Sequence, residues 1–295
     1  MNIANCLAQS THTLATSPTA RLDAEILLAD VLHMSREKLY LSFERLLTSS
    51  QLGAMNEYVA RRAKGEPIAY LVGRCEFWSL DLCMMPGVLV PRPETEMLVE
   101  QALKYLSENI CCCVADLGTG SGAIALALAH ERPSWKLVAT DRSAAALALA
   151  QHNGQRLKRT NIQYYLGDWC HALPDQKFDA IISNPPYISS DDLHLINLDV
   201  TFEPKSALFS DNNGLSDIQQ ICEHARAFLR PGGYLIIEHG FNQGAAARNI
   251  FKHAGYSAIE TYHDLANCER MTCAQILYPN PDIEIKIKNI ESYFE

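Results

Sequence analysis

The pattern of hydrophobic and polar positions divides the chain into a helical first part and an alternating second part. Up to residue 73, apolar side chains recur at helical spacing, as at Leu22 and Ile26 and again at Met55 and Val59. No strand-like alternation interrupts this pattern. We therefore predict a small all-helical domain over residues 1–73.

The pattern changes after the glycine and proline residues that follow the last helical repeat. From Cys75 to Val90, strand-like residues stand on either side of Pro86-Gly87, a pair typical of turns. We predict a β-hairpin linker over residues 74–93, with its turn at Pro86-Gly87.

From about residue 94, short apolar strands alternate with helical segments. Strands are predicted at 111–117, 136–140, 162–166, 178–183, 234–238, 258–262 and 272–277, and helices at 122–130, 143–153, 215–229 and 243–254. Such alternation indicates a mostly parallel sheet covered by helices on both faces. We predict a doubly wound, Rossmann-like α/β domain over residues 94–279, followed by a C-terminal tail at 280–295.

A glycine-rich loop follows the first predicted strand of this domain. It reads DLGTGSG, and its candidate cofactor-binding residues are Asp116, Gly118, Thr119, Gly120, Ser121 and Gly122. Glycines there let the backbone turn tightly and approach a ligand closely, although a plain strand–helix turn has the same form. Asp141 ends the next strand, 23 residues after Gly118, where a carboxylate can bind a ribose diol. Together these features predict a nucleotide-like cofactor at the carboxyl edge of the sheet.

Charge separates the two cofactors that fit such an edge, NAD and S-adenosylmethionine. The spacing is GxGxG, and Asp116 opens the loop with a carboxylate that would repel a pyrophosphate. The same carboxylate would attract the ammonium and sulfonium groups of S-adenosylmethionine. Asp168 and Trp169, after the third strand, add a carboxylate and a ring that could hold adenine, with ordinary core packing as the alternative for Trp169. The sequence favours S-adenosylmethionine.

A second motif, Asn184-Pro185-Pro186-Tyr187, follows the strand predicted at 178–183. The two prolines remove two N–H donors and stiffen the loop, which leaves carbonyl groups unpaired at the sheet edge. The Asn184 carbonyl and a proline carbonyl could accept both hydrogens of a planar NH₂ group, while Tyr187 stacks on it. Such acceptors stabilise the positive charge that develops when this nitrogen attacks a methyl donor. A turn without function is the alternative, which the neighbouring cofactor loop disfavours.

Net charge narrows the class of substrate. The chain has 25 basic and 34 acidic side chains, a net charge of −9, and the neutral part up to residue 73 contributes seven of each sign. Proteins that bind long nucleic acids usually have a basic face, because phosphate neutralisation supplies much of the affinity. We therefore expect no direct nucleic-acid partner.

Composition points to a globular protein of the cytoplasm. Hydrophobic residues make up 48% of the chain, which is typical of a folded protein. No apolar run approaches the ~20 residues that span a bilayer, and the first residues lack the form of a secretory signal. The ten cysteines include no CxxC pair, so we expect free thiols and no metal site. We also expect no membrane partner.

DLGTGSG, the Asp141 strand end, GDW and SNPPY together resemble class I S-adenosylmethionine-dependent methyltransferases that act on a planar nitrogen. That group includes both DNA adenine and protein-glutamine enzymes. Further segments resemble those of the peptide chain release factor N5-glutamine methyltransferases, the PrmC/HemK family: GEPIAYLVG (65–73), EFW (76–78), LVPRPETE (89–96), FEPKSAL (202–208) and LIIEHG (235–240). The resemblance extends from about residue 20 to residue 278 and leaves out the tail.

The resemblance implies methyl transfer from S-adenosylmethionine, giving S-adenosylhomocysteine, to the glutamine of the GGQ loop of class I release factors. It implies that Gly118 to Gly122, Asp141, Trp169 and Asn184 contact the cofactor, and that Asn184 to Tyr187 grip the glutamine amide. Arg92, Pro93 and Glu94 would line the site, with a plain ion pair as the alternative for Arg92 and Glu94.

Two other functions remain open at this point. An adenine-N6 nucleic-acid methyltransferase would use NPPY equally well, because adenine also presents a planar amino group. A non-catalytic module of the same fold that binds translation proteins is the other. For the helical domain we expect a docking role towards the protein substrate, because it carries no catalytic motif. No general base stands out.

Overall fold

The computed structural model describes residues 1–108, 110–189 and 198–277. Within these ranges the chain forms two units. The first contains residues 1–76, 81–90 and 198–204, and the second contains 77–80, 91–108, 110–189 and 205–277.

Helices make up most of the first unit, as predicted. They are α1 (Ile3–Thr13), α2 (Ala20–Val31), α3 (Arg36–Tyr40), α4 (Ser49–Arg62) and α5 (Ile68–Val72). Their apolar sides form one core in which Leu7, Leu27 and Met55 are fully buried. Leu22, in contrast, is exposed, because α2 turns its Leu27 side inward. A buried ion pair joins Arg62 to Asp23 at 2.7 Å.

A β-hairpin follows, but its turn is not where the sequence predicted it. The strands are β1 (Arg74–Phe77) and β2 (Leu80–Cys83), and the turn is Trp78-Ser79, with φ of 53° and 57°. Positive φ at both central residues matches the twist of paired strands in a two-residue hairpin. The Trp78 backbone N–H donates to Glu96 at 2.7 Å, and its indole N–H donates to Glu131 at 2.8 Å. These contacts hold a turn that lacks glycine and asparagine, and the prediction of Pro86-Gly87 as the turn was wrong.

A seven-stranded sheet forms the centre of the second unit. Its strands are β3 (Cys113–Leu117), β4 (Lys136–Asp141), β5 (Ile162–Leu166), β6 (Phe178–Ser183), β7 (Leu229–Glu238), β8 (Ser257–His263) and β9 (Glu269–Gln275). The strand order is β5-β4-β3-β6-β7-β9-β8, and only β9 runs antiparallel to its neighbours. The predicted doubly wound, mostly parallel fold is confirmed.

Within the described residues of the second unit, six helices accompany this sheet. They are α6 (Glu96–Tyr105), α7 (Ala123–Glu131), α8 (Ala144–Arg156), the short α9 (Asp211–Gly214), α10 (Ser216–Ala225) and α11 (Gly244–His253). The core between helices and strands includes Phe178, Ile221 and Phe251, which are fully buried.

Some predicted boundaries were wrong around the Pro-Gly-Gly segment. The helix predicted to reach residue 229 ends at Ala225, and β7 begins at Leu229 and runs through Pro231-Gly232-Gly233. The pairing with β6 shifts between Phe178 and Ala180, so these residues form an irregularity inside a strand. A local turn signal cannot distinguish such an irregularity from a true chain reversal.

The described residues contain neither a helix long and apolar enough to cross a membrane nor a cluster of side chains that could ligate a metal. Each of the ten cysteines is a free thiol. Burial raises the pKa of Cys170 to about 12 and that of Cys222 well above its ordinary value, so these thiols act as small apolar side chains.

Candidate active site

The carboxyl ends of four neighbouring parallel strands bring the predicted motifs to one edge of the sheet. β3 and β6 are adjacent at the point where the strand order reverses, which is the position of ligand sites in doubly wound folds. Leu117 pairs with Ser183, whose hydroxyl donates to the Leu117 carbonyl at 2.8 Å. The glycine loop and the NPPY motif therefore begin side by side. β4 adds Asp141 at this edge, and β7 adds Glu238.

The glycine loop has a conformation that requires glycine. Gly118, Gly120 and Gly122 have φ of 70°, 58° and 88°, in the left-handed region. A Cβ on Gly118 would lie 3.0 Å from the Trp169 ring, and one on Gly122 would lie 2.9 Å from a methyl group of Leu126. The loop thus requires glycine both for its backbone conformation and for its close packing against Trp169 and Leu126.

Asp116 fastens this loop to the start of α7. Its Oδ2 accepts hydrogen bonds from the Thr119 hydroxyl at 2.6 Å and from the Ala125 N–H at 3.2 Å. The carboxyl is fully buried, and burial raises its pKa to about 7, with the nearby Asp141 adding to the increase. Its other oxygen, Oδ1, has no hydrogen-bond partner within the described residues.

Asp141 connects the end of β4 to the glycine loop. Its two carboxylate oxygens accept hydrogen bonds from the Gly120 N–H at 2.9 Å and from the Ser143 N–H at 2.8 Å. Burial raises the pKa of this carboxyl, and the two hydrogen bonds oppose that effect. Each oxygen keeps a second lone pair for a ligand hydroxyl.

Trp169 is buried in the core, with its ring against Gly118. Its indole N–H donates to Asp217 at 3.1 Å, while Asp168 is exposed beside it. Core packing, the alternative raised for Trp169, is therefore observed, and adenine contact at this position stays a prediction.

The NPPY loop is fixed by buried contacts and by a hydrogen bond to its last residue. Pro185 and Pro186 are buried, and the Tyr187 carbonyl accepts a hydrogen bond from the Gln243 side chain at 2.9 Å. Gly214 has a φ of 78°, and a Cβ there would collide with the same carbonyl oxygen. The end of the motif is thus fixed by Gly214 of α9 and by Gln243, the residue that precedes α11.

Two residues that the sequence analysis did not single out, Thr95 and Glu238, connect the ends of the motif. The Asn184 side-chain NH₂ donates to the Thr95 hydroxyl at 3.0 Å, and that hydroxyl donates to Glu238 at 2.8 Å. The Tyr187 hydroxyl donates to the other Glu238 oxygen at 3.2 Å. A carboxylate directly after the apolar residues Leu235 to Ile237 was the signal that could have found this group.

Burial raises the pKa of Glu238 to about 7. Its hydrogen bonds with Thr95 and Tyr187 act in the opposite direction, Glu94 adds to the increase, and Arg270 opposes it. Burial also raises the pKa of the Tyr187 phenol, with Glu238 adding to the increase and the cations Arg270 and Arg92 opposing it. The charge of Arg92 therefore acts on Tyr187 of the NPPY motif, and the charge of Glu94 acts on Glu238, which accepts from Tyr187.

The residues of the PRPETE segment differ in their exposure to solvent. Thr95 is buried, Arg92 is half-buried, and Pro93 and Glu94 are exposed. Pro93–Thr95 form a single 3₁₀ turn that leads into α6. This turn points the Thr95 hydroxyl inward to Asn184 and Glu238.

Comparison with known proteins identifies the family. Models of the PrmC N-terminal domain and of the methyltransferase small domain match residues 5–73 and 94–202. A release factor glutamine methyltransferase of Salmonella typhimurium is 46% identical over 93% of this chain and 99% of its own length. The protein of that name from Coxiella burnetii is 47% identical, over 90% of this chain and 95% of its own. This chain belongs to the release factor glutamine methyltransferase family.

Solved structures agree on the fold of this family member. A methyltransferase from Pyrococcus furiosus has a TM-score of 0.53 at 18% identity, over 76% of this chain and all of that one. A Thermus thermophilus 16S rRNA methyltransferase in complex with AdoMet and guanosine has a TM-score of 0.51 at 21% identity, over 68% of this chain and 49% of that one. At such identities the likeness extends to the fold alone.

The cofactor of this methyltransferase is S-adenosylmethionine, as the sequence predicted. The residues fit the group. Asp116 holds a buried oxygen without a partner in the described chain, Asp141 offers a carboxylate to hydroxyl groups, and the glycine loop brings bare backbone to the same edge. A cationic ligand suits these acidic groups.

Proposed function

We propose that this protein transfers a methyl group from S-adenosylmethionine to the side-chain amide nitrogen, N5, of the glutamine in the GGQ motif of class I peptide chain release factors. The observation that carries the proposal is the position of Asn184. It follows β6 beside the glycine loop of β3, in a chain that shares nearly half its residues with enzymes named for this activity.

The cofactor would be held by the carboxyl edge of the sheet. The backbone of Gly118 to Gly122 would approach it closely, Asp141 would accept from its ribose hydroxyls, and Asp116 would favour its positive charge. Thr119, Ser121, Asp168, Trp169 and Asn184 complete the proposed cofactor-binding set. When bound, S-adenosylmethionine supplies an electrophilic methyl group on a sulfonium.

The NPPY motif would bind and activate the target amide. The Asn184 carbonyl and a carbonyl of Pro185 or Pro186 would accept its two N–H bonds, and the Tyr187 ring would stack on its plane. An amide nitrogen is a poor nucleophile because its lone pair is delocalised. Holding both N–H bonds favours a pyramidal nitrogen, and the acceptors stabilise the positive charge that forms on it.

The domain roles follow from the same proposal. Residues 1–73 would dock the release factor, residues 74–93 would link the domains, and residues 94–279 would carry out the transfer. The model of the PrmC N-terminal domain matches residues 5–73, which lie within the proposed docking domain. Arg92, Pro93 and Glu94 would line the site, and the tail at 280–295 lies outside the described residues. A release-factor substrate would place the reaction in translation termination, in the cytoplasm, without membrane or direct nucleic-acid partners.

A transfer assay tests the proposal. The protein is incubated with radiolabelled S-adenosylmethionine and one of three acceptors: a class I release factor, the same factor with the GGQ glutamine replaced by alanine, or adenine-containing DNA and RNA. We expect label in the unaltered factor alone. Label in the nucleic acid with none in the factor would favour the adenine alternative, and no transfer at all would favour the non-catalytic one.

A further inference from the structure

A continuous chain of hydrogen bonds joins the first and last residues of the NPPY motif through the interior. It runs from the Asn184 amide to the Thr95 hydroxyl at 3.0 Å, from that hydroxyl to Glu238 at 2.8 Å, and back to the Tyr187 hydroxyl at 3.2 Å. Thr95 and Glu238 are 3% and 2% exposed, so water does not compete for these bonds. Neither residue has a role in the proposed methyl transfer so far.

The chain of bonds has a direction. A hydroxyl has one proton, and Thr95 donates it to Glu238, so the Thr95 oxygen can only accept from Asn184. Asn184 must then turn its NH₂ group towards Thr95. Its carbonyl oxygen is the part of the amide that remains for a substrate N–H. The opposite orientation would present an NH₂ group to the NH₂ group of the target, donor against donor.

We propose that Glu238 is a positioning residue which, through Thr95, keeps the Asn184 carbonyl turned towards the target nitrogen and also fixes the Tyr187 ring. This inference rests on the proposed function, because it assigns Asn184 and Tyr187 to the target amide. In its ionised form the Glu238 carboxylate can only accept hydrogen bonds, which forces both hydroxyls to donate to it. The charged side chains Glu94 and Arg270 also act on Glu238, in opposite directions.

Substitutions at Thr95 and Glu238 test whether the donor-to-acceptor direction of these hydrogen bonds matters for catalysis. Glu238→Gln keeps the shape of the side chain but adds an NH₂ donor, which can reverse the direction of the hydrogen bonds from Asn184 through Thr95 to residue 238, called the relay below. Thr95→Val keeps the shape of the side chain but removes its hydroxyl. In each variant we expect kcat for methylation of the release factor to fall about tenfold or more, the scale for disturbing a group that stabilises developing charge. Because Asn184 also belongs to the proposed cofactor-binding set, the affinity for S-adenosylmethionine, measured by calorimetry, is expected to fall, but by a much smaller factor than kcat.

A rescue and a double variant separate positioning from simple structural support. Thr95→Ser restores the hydroxyl, so it should regain most of kcat although it loses a buried methyl group. Glu238→Gln combined with Thr95→Val should be no slower than the slower single variant, because both break one relay. Wild-type kcat in Thr95→Val, a serine variant as slow as the valine variant, or a loss of cofactor affinity as large as the loss of kcat would each overturn the proposal.

The assay also distinguishes this inference from the proposed function. The wild-type protein is first tested on the release factor and on nucleic acid, and the preferred acceptor settles the substrate. The variants are then measured on that acceptor. If the wild-type protein does not methylate the release factor, the proposed function is contradicted. If the wild type is active and the variants turn over at the normal rate, only the role of Glu238 is contradicted.

Discussion

The side-chain amide of Asn184 donates a hydrogen bond to the hydroxyl of Thr95, at 3.0 Å and across 89 positions of the chain. Asn184 follows a core strand, whereas Thr95 ends a 3₁₀ turn before α6. The bond turns the carbonyl oxygen of Asn184 away from Thr95. The residue at the centre of the proposed chemistry is therefore oriented by a distant segment.

Replacing Asn184 by alanine should reduce turnover. The lost carbonyl acts mainly when the target nitrogen becomes cationic, so we expect methyl transfer to slow by about 10²-fold or more. The measurement is single-turnover methylation of a release factor. A near-normal transfer rate in Asn184→Ala would mean that NPPY serves only as a turn.

Asn184→Asp is the matched control for this prediction. It keeps an acceptor of similar shape but adds a negative charge beside the sulfonium, and an ionised carboxylate cannot donate to Thr95. We expect cofactor affinity to hold or increase while transfer slows, because the charge stabilises the ground state as well as the transition state.

Replacing Asp141 by alanine should weaken cofactor binding. The carboxylate is the proposed acceptor for the ribose hydroxyls, and it also accepts from the N–H groups of Gly120 and Ser143. We expect a loss of about 1–3 kcal/mol in the binding free energy of S-adenosylmethionine, measured by calorimetry. Asp141→Asn, which keeps one acceptor, should lose less. Unchanged affinity in folded Asp141→Ala would refute the assignment.

Removing residues 1–73 tests the proposed docking domain. Every proposed cofactor residue lies after residue 91, so the truncated protein should bind S-adenosylmethionine with nearly the full affinity. Methylation of the intact release factor should fall, because its binding surface is gone. Cofactor affinity is the control for folding. If the truncated protein binds the cofactor and methylates the factor at the normal rate, docking resides elsewhere.

The buried Asp116 should make stability depend on pH. In the unfolded chain this carboxyl ionises near pH 4, whereas burial raises its pKa to about 7 in the folded protein. The stabilising effect of the bound proton is therefore fully present below about pH 4 and is lost as the pH rises through about 7.

Asp116→Asn tests this dependence because it keeps an acceptor for Thr119 and Ala125 but cannot ionise. We expect the free energy of unfolding, from urea titrations at about pH 5 and about pH 8, to change less with pH in the variant than in the wild type. Glu238, whose pKa is also raised to about 7, contributes in the same direction in both proteins. Equal pH dependence in the two proteins would contradict the raised pKa of Asp116.

The local pattern of hydrophobic and polar residues was sufficient to predict those helices and strands that depend mainly on residues adjacent in the sequence. The apolar runs at 162–166 and 178–183 are the strands β5 and β6, with those boundaries. The meeting of the glycine loop with Asn184 was also predictable, because parallel strands bring their carboxyl ends to one edge. The sequence alone thus determined the α/β class and the positions of the proposed cofactor loop and of the proposed motif for the target nitrogen.

The tertiary structure alone decided which distant side chains support those motifs. The hairpin turn at Trp78-Ser79 depends on Glu96 and Glu131, and the relay behind NPPY depends on Thr95 and Glu238. These hydrogen bonds join positions 18 to 143 residues apart, so no local pattern of hydrophobic and polar residues contains them. They form because folding buries polar groups, and a buried polar group must find its partner wherever the chain places one.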